Sequence, residues 1–384
     1  MSRLALFFLR LGTTAFGGPA AHIAMMEDEV VRRRRWVLRE KFLDLLGAAN
    51  LIPGPSSTET AIFIGYLCEG WMGLLLSGVC FIVPAMVMVL AFAWAYVQYG
   101  NLPQITWLLY GIKPVVIAIV LQALLGLGRT AVRNKFPGAL AILAVILNFL
   151  GVNALVLLFG TGLIAGLRQG FIQDWPKSRT PMLVMLLFSG CFMAAAYFAS
   201  GSYSTGAVEF GLLPLFLFFI KIGSVVFGSG YVLLAFLHAD LVDHWHWLTT
   251  TQLLDAIAIG QVTPGPVFTT ATFIGYLLAG VPGALIATAG IFLPSFIFVA
   301  IGSFIIPLFR KSIIAGAFLD GVIVASLALM AVVTWSLARS AVIDLPTALL
   351  AIGGAVVLIR FHLNSLWLVL GGALIGLLVH MTSI

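Results

Sequence analysis

Charged residues are scarce in this sequence, at 9% of 384 residues, whereas soluble domains carry roughly 25%. That shortage excludes an ordinary soluble domain, because too few groups exist to keep a surface of this size in water. Cysteine is nearly missing. Cys68, Cys80 and Cys191 are scattered without CxxC spacing, which argues against a disulfide framework or a thiolate metal cluster. No GxxxxGK[ST] loop occurs, which disfavours an ATP-driven pump. No nucleophile, base or metal cluster stands at the paired spacing an intramembrane enzyme needs. No soluble tail or domain is expected at either end.

What the sequence has is apolar length. Hydrophobic residues make up 61% of it, and the mean hydropathy is +1.13. Runs at 73–97, 105–127, 181–199, 284–308 and 313–335 approach or exceed the ~20 residues that span a bilayer as helix. The net charge of +6 comes from arginines clustered in short segments between those runs. That is how cytoplasmic loops look under the positive-inside rule, and it is not a nucleic-acid signature. The opening stretch MSRLALFFLRLGTTAFGG resembles a signal peptide, but Arg10 interrupts its apolar core and the segment recurs later. It is expected to be mature structure.

The recurrence is a duplication. LRLG at 9–12 returns as IKIG at 220–223, FGG at 16–18 as FGS at 227–229, and Trp36 as Trp247. Asp44 returns as Asp255, and PGP at 53–55 as PGP at 264–266, all at an offset of 211. After one deletion the offset is 210, matching FIGY at 63–66 to 273–276, Pro84 to Pro294 and Gly111 to Gly321. The expected organisation is a first repeat over 1–168, a linker with one transmembrane helix over 169–207, and a second repeat over 208–384.

Charge places the copies in opposite senses. EDEVVRRRRWVLREK at 27–41 corresponds to HADLVDHWHWLTTTQ at 238–252, which lacks Lys and Arg. The uncharged loop QYGNLPQ at 98–104 corresponds to one holding Arg310 and Lys311, while Arg129, Arg133 and Lys135 face Arg339 alone. A positive bias that changes sign between copies is what an inverted-topology repeat requires. If the FGGP and PGP elements are re-entrant hairpins, the basic segments at 32–41, 128–136, 168–179, 310–311 and 360 all fall in the cytoplasm, and only Arg339 violates the rule. The hairpin arms are then 3–16 with 19–31 and 40–52 with 55–68, about 20 Å of helix each. The expected fold is therefore an all-α polytopic membrane protein of two inverted repeats with broken helical hairpins, four hairpins and nine full spans.

In lipid a helix break frees backbone groups that something must satisfy, so breaks survive where they line a polar cavity or a bound ion. The breaks are Gly17-Gly18-Pro19, Pro53-Gly54-Pro55, Gly228-Ser229-Gly230 and Pro264-Gly265-Pro266. Proline is favoured at the first position of a helix, so Pro19, Pro55 and Pro266 mark helix N-termini, which attract anions through free N–H groups and the dipole. Hydroxyls follow at Ser56, Ser57, Thr58, Thr269 and Thr270, donors suited to an oxyanion. The plainer reading is that these glycines and prolines pack or kink helices; their duplication in register favours a site.

FLRLGTTAFGGPAAH at 8–22 and LIPGPSSTETA at 51–61 resemble the two signature stretches of the chromate ion transporter family. FIKIGSVVFGSGYVLL at 219–234 and QVTPGPVFTTATFIGYLLAGVPGA at 261–284 are similar to that family's second-domain versions. The resemblance covers both halves and implies the long-chain, two-domain form, whose members export chromate using the proton motive force and confer chromate resistance. The second half departs from the first, with Leu233 for His22, Gly230 for Pro19 and Thr270 for Glu59.

Charges inside the apolar runs are functional candidates by default, since each costs on the order of 3 kcal/mol to insert. Arg10 and its mate Lys221 lie seven residues before a hairpin glycine and together suit a dianion; snorkelling, or pairing with Glu27 or Asp44, is the alternative. His22 is a candidate proton site, and a structural hydrogen-bonding histidine is the other reading. Glu59 is the leading candidate proton carrier. Asn50 and Gln261 stand at matched positions before the PGP turns, as hydrogen-bond donors to ligand or backbone. Lys113 has no basic mate, Ile323 standing at its position, and is expected at the outer interface. Arg32 to Arg35 read as a topogenic anchor or an anion-attracting vestibule. His238, Asp240, Asp243, His244 and His246 read as an exposed loop before a metal site.

The expected function is a secondary transporter that exports chromate, or a related oxyanion such as sulfate, across a bacterial inner membrane, with protons as coupling ion and no cofactor. An anion channel, or a carrier of a different oxyanion, is the alternative. Gly162/Gly166 and Gly372/Gly376 permit close helix packing, within one chain or across a homodimer. Both halves are expected to grip the anion, and the first half alone to handle the proton.

Overall fold

A computed structural model of the chain describes residues 1–100, 102–132, 134–172, 209–227, 230, 232–309, 313–361 and 365–381. Among the described residues there is no strand, and fourteen α-helices carry most of the chain. Helical structure is what apolar runs adopt when lipid offers no partners for backbone groups. The expected linker span at 181–199, with Arg133, Cys191, Gly228, Ser229, Arg310 and Lys311, lies outside the described residues.

The first half contains α1 (Ser2–Thr14), α2 (Gly18–Met26), a π-helical turn at Glu27–Arg33, α3 (Arg39–Ala49), α4 (Ser56–Tyr99), α5 (Pro103–Ala131), α6 (Lys135–Phe149) and α7 (Ala154–Ile172). The second contains α8 (Leu212–Val225), α9 (Leu233–Phe236), a π-helical turn at Leu237–His244, α10 (Thr250–Val262), a 3₁₀ turn at Val267–Thr269, α11 (Thr270–Phe309), α12 (Ile313–Ala341), α13 (Leu345–Phe361) and α14 (Ser365–Met381). Each π-helical turn is followed by a residue in the left-handed region, Arg35 (φ 53°) and His246 (φ 55°), which are mates at the 211 offset.

Two of these helices are bent back on themselves. In α4 the backbone leaves helical geometry at Glu69 and at Gly70 (φ 60°, ψ −144°); in α11 it does so at Ala279 and at Gly280 (φ 60°, ψ −148°). Around the first bend, a Cβ on Gly65 would collide with the Gly73 carbonyl, and around the second, Gly275 meets Gly283 in the same way. Eight residues of straight helix would hold these pairs about 12 Å apart, so the chain reverses at each bend. A short arm over 56–68 or 267–278 thus precedes a long helix over 71–99 or 281–309. Gly70→Ala forces a side chain into a conformation that costs about 1–3 kcal/mol. A lowered midpoint of thermal unfolding in detergent is the expected result.

Five helical stretches are long and apolar enough to cross a membrane: α4, α5, α7, Val267–Gly302 and α12. The sequence suggests nine spans; α6, α13 and α14, at 15, 17 and 17 residues, are at or below the ~17 residues that crossing needs. The chain is a multi-pass membrane protein.

The halves are interlocked. The last two helices of each half pack on the middle helix of the other: α14 and α13 on α5, α7 and α6 on α12. Glycines make the closest approaches, Gly111 against Gly372 and Gly376, and Gly162 against Gly321, and Thr161 Oγ1 donates to the Gly321 carbonyl at 3.0 Å. The small-residue pairs visible in the sequence are therefore used within one chain, between halves. Tyr110, early in α5, donates to Asp344 just past the end of α12 at 2.6 Å, while Gly128, late in α5, faces Leu327 in mid-α12. These equivalent helices run antiparallel.

Candidate functional site

The helix breaks meet at the junction of the halves. Gly54 N–H donates to the Val226 carbonyl at 2.7 Å, and Gly265 N–H donates to the Ala15 carbonyl at 3.0 Å. Ala15 and Val226 are mates at the 211 offset, and so are Gly54 and Gly265. Each PGP turn is thus held by the end of the other half's first helix. Gly17 (φ 105°), Gly18 (φ 74°), Gly54 (φ 134°) and Gly265 (φ 92°) all occupy the left-handed region, which explains why the chain uses glycine there. Pro19 stands in the first turn of α2, and Pro55 immediately precedes the first turn of α4, as expected of prolines that open helices. Gly230, the described member of the fourth break, is buried against Val267 and Phe268.

The tips are unequally exposed. On the first-half side Gly54 and Pro55 are buried, Gly18, Pro19 and Pro53 are half-buried and Gly17 and Asn50 are exposed, whereas Gln261, Pro264, Gly265 and Pro266 are all buried. Ser56, Ser57, Thr58, Thr269 and Thr270 are all buried. Thr269 and Thr270 donate to the Pro266 and Val267 carbonyls at 2.8 Å, while Thr58 Oγ1 has no hydrogen-bond partner.

Glu59 is 0% exposed, and neither of its carboxyl oxygens has a hydrogen-bond partner. Its Oε1 lies so close to Gly54 that a Cβ there would collide with it, and Ser295 Oγ is 2.7 Å from the same Cβ position. Ser295, also 0% exposed and without a hydrogen-bond partner, comes from the other half and immediately follows Pro294. At the pseudo-equivalent place Thr270 replaces Glu59, and Ala85 replaces Ser295 against Gly265. The Gly54 turn is therefore faced by a carboxyl and a hydroxyl, and the Gly265 turn by a methyl group.

His22, 1% exposed, shares the Ala15 carbonyl with Gly265 through an Nε2 contact of 3.0 Å. Its ring packs edge-on against Phe81, and its Nδ1 has no hydrogen-bond partner. The two candidate proton residues, both from the first half, are thus divided between the tips, Glu59 at Gly54 and His22 beside the carbonyl that holds Gly265.

The cations are placed differently from each other. Arg10 is exposed. Lys221 pairs with Asp240 at 2.8 Å on the wall of a cavity of about 1210 Å³ that Asp243, Ser336 and Arg339 also line. His238, in the same wall, bonds Asp243 at 2.9 Å and Ser336 at 3.2 Å. In the first half the matching turn is held by Arg33–Asp28 at 2.8 Å and Arg34–Glu29 at 2.6 Å.

Lys113 corrects the sequence expectation. Instead of an interfacial lysine, its side chain is 17% exposed and ion-paired at 3.0 Å with Asp255, which is 3% exposed. Tyr96 donates to the other Asp255 oxygen at 2.9 Å. This network ties α4 and α5 of the first half to α10 of the second. Ser295 and the Lys113–Asp255 pair were both missed in the sequence. For the second, the available signal was a lysine with no charged mate in the other half, Lys113, and an aspartate within the apolar stretch of α10, Asp255.

The profile described as Chromate transporter matches residues 2–167 and again 213–377. The chain belongs to the chromate transporter family. Its two matches coincide with the interlocked halves, and each includes one PGP turn. A chromate transport protein of Cupriavidus metallidurans is 36% identical over 383 residues, covering 99% of this chain and 93% of that protein. One from Pseudomonas aeruginosa is 30% identical over 339 residues, covering 86% and 80%. An uncharacterised transporter of Methanocaldococcus jannaschii is 27% identical over 294 residues, covering 76% and 72%. No solved structure matches the chain.

Proposed function

We propose that the chain is a secondary transporter that carries chromate, or a related oxyanion such as sulfate, out of a bacterial cell across the inner membrane, drawing on the proton motive force and conferring chromate resistance. The observation that carries the reading is the reciprocal pair of hydrogen bonds, Gly54 to Val226 and Gly265 to Ala15, each of which joins a broken helix of one half to a helix end of the other. Helix starts held in this way, with buried hydroxyls behind them, make an anion site. The names of the relatives supply the substrate class.

The antiparallel packing of α5 and α12 supports inverted repeats, 1–168 and 208–384, since equivalent helices that cross in opposite directions need a two-fold axis in the membrane plane. Alternating access is then a rocking of the two interlocked halves about the junction of the tips, with Glu59 and His22 as the proton-handling groups. Arg10, exposed near the first tip, draws the anion in, and Lys221 receives it at the opposite mouth. Arg10→Ala and Lys221→Ala are each expected to lower the chromate concentration that expressing cells tolerate, with unchanged protein level by immunoblot. Full tolerance in either variant removes that residue from the path.

The function is tested in proteoliposomes with chromate, sulfate, molybdate and phosphate under an imposed proton gradient. Uphill movement of chromate dissipated by a protonophore is the expected result. Strictly downhill flux points to an anion channel, and preference for another anion reassigns the substrate.

A further inference from the structure

We propose that the Glu59 carboxyl is a tethered occupant of the oxyanion site, filling the Gly54 tip when ionised and yielding it to the oxyanion when protonated. This rests on the transport reading above and adds how the site is occupied and released.

Glu59 is the fourth residue of α4, and its side chain folds back over the helix start toward the PGP turn. There Oε1 and Ser295 Oγ crowd the Cα of Gly54 so closely that a Cβ has no room. Both carboxyl oxygens, Ser295 Oγ and Thr58 Oγ1 are buried and without hydrogen-bond partners. Buried polar atoms are almost always paired, and three unpaired oxygens, the two of the Glu59 carboxyl and Ser295 Oγ, gathered at the Gly54 turn beside one helix N-terminus are a place built for something that comes and goes. The N-terminus favours an anion. The carboxylate is an anion already delivered there on a side chain, so an incoming oxyanion and an ionised Glu59 compete for one position.

The second half has no such arrangement. Thr270 satisfies its hydroxyl on Val267, and Ala85 faces Gly265. One site of this kind therefore exists among the described residues, although the motif is duplicated.

The elements packed on α4 carry few charges that bear on Glu59. Cations and titratable bases are Arg3 and Arg10 on α1, His22 on α2, and Arg39 and Lys41 on α3; acids are Glu40 and Asp44 on α3 and Asp255 on α10. None bonds the Glu59 carboxyl. The remaining neighbours, the Val267–Thr269 turn and α11, carry no charge.

The exchange balances simply. The carboxylate takes one proton from water and becomes neutral, so the helix end no longer attracts it; the oxyanion takes its place, with Ser295 as hydroxyl donor. Release reverses both steps. A dianion that leaves with one proton still moves net negative charge outward, the direction an inside-negative potential favours.

The test is equilibrium binding of radiolabelled sulfate and chromate to purified wild type, Glu59→Gln and Ser295→Ala from mildly acidic to mildly alkaline pH. Sulfate keeps its charge across that range, so its profile reports the protein alone. For the wild type, sulfate affinity is expected to fall as pH rises, by up to about tenfold per pH unit for one competing proton. Glu59→Gln should bind sulfate with a flat profile. Ser295→Ala should bind more weakly at every pH with the slope retained. A Glu59→Gln protein that is monodisperse with a normal melting point yet binds nothing overturns the proposal, as does a wild-type slope that survives in it. If the wild type binds sulfate with the expected slope but not chromate, the tether stands and the substrate assignment falls. Binding of neither anion overturns both.

Discussion

Gly54→Val is expected to abolish the proposed chromate transport. The introduced Cβ would collide with Glu59 Oε1 and stand 2.7 Å from Ser295 Oγ, on a residue whose φ of 134° a β-branched side chain does not adopt. Either the PGP turn moves or the carboxyl and hydroxyl are expelled, and both outcomes dismantle the tip. Gly265→Val is expected to fail equally, since its Cβ would approach Ala85 Cβ to 2.7 Å. Gly18 is a control of the opposite kind. Its φ is also positive, at 74°, but a Cβ there would meet nothing within 4 Å. Gly18→Ala should therefore cost only the backbone strain of about 1–3 kcal/mol and leave transport measurable. The check is export from chromate-loaded cells at matched protein levels. Normal export by Gly54→Val would separate the PGP turn from the transport path.

Lys113→Met is the second large effect, expected in stability. It strands Asp255, 3% exposed, in an apolar interior with Tyr96 as its remaining partner. Removing one member of a buried pair costs about 3–5 kcal/mol. Replacing both members with apolar residues of similar size is often neutral, so Lys113→Met with Asp255→Leu should recover most of the lost thermal stability. Because the pair joins α5 to the opposite half's α10, the double variant also asks whether transport needs the charges or only the packing. Equal melting points for wild type and Lys113→Met would show that the pair contributes nothing to holding the halves together.

Much of the architecture is readable in the chain because glycine and proline dictate backbone geometry locally. The breaks at 17–19, 53–55 and 264–266 lie where the duplicated motifs put them, and the short arm ending near residue 68 is the arm that Gly70 terminates. The all-helical, multi-pass class followed from hydropathy alone. What could not be read were the partners across the junction. The Gly54 N–H finds a carbonyl 172 positions away in the sequence, at Val226, and nothing near either residue specifies that meeting. Ser295 looks like one hydroxyl among many in an apolar helix until packing brings it against Gly54. Lys113 looked interfacial because its mate is isoleucine; its partner belongs to a different repeat position, where repeat alignment does not look. The small-residue pairs at Gly162 and Gly372 were visible as packing surfaces, but only the tertiary fold shows that they join halves of one chain.

If the oxyanion binds where the broken helices of both halves meet, anomalous diffraction at the chromium edge will locate it, from crystals of the protein grown with chromate. One chromium peak per chain is expected at the junction, beside Gly54 and Ser295 and within reach of the α4 N-terminus. A peak in the Lys221–Asp240 cavity with none at the junction would refute that placement.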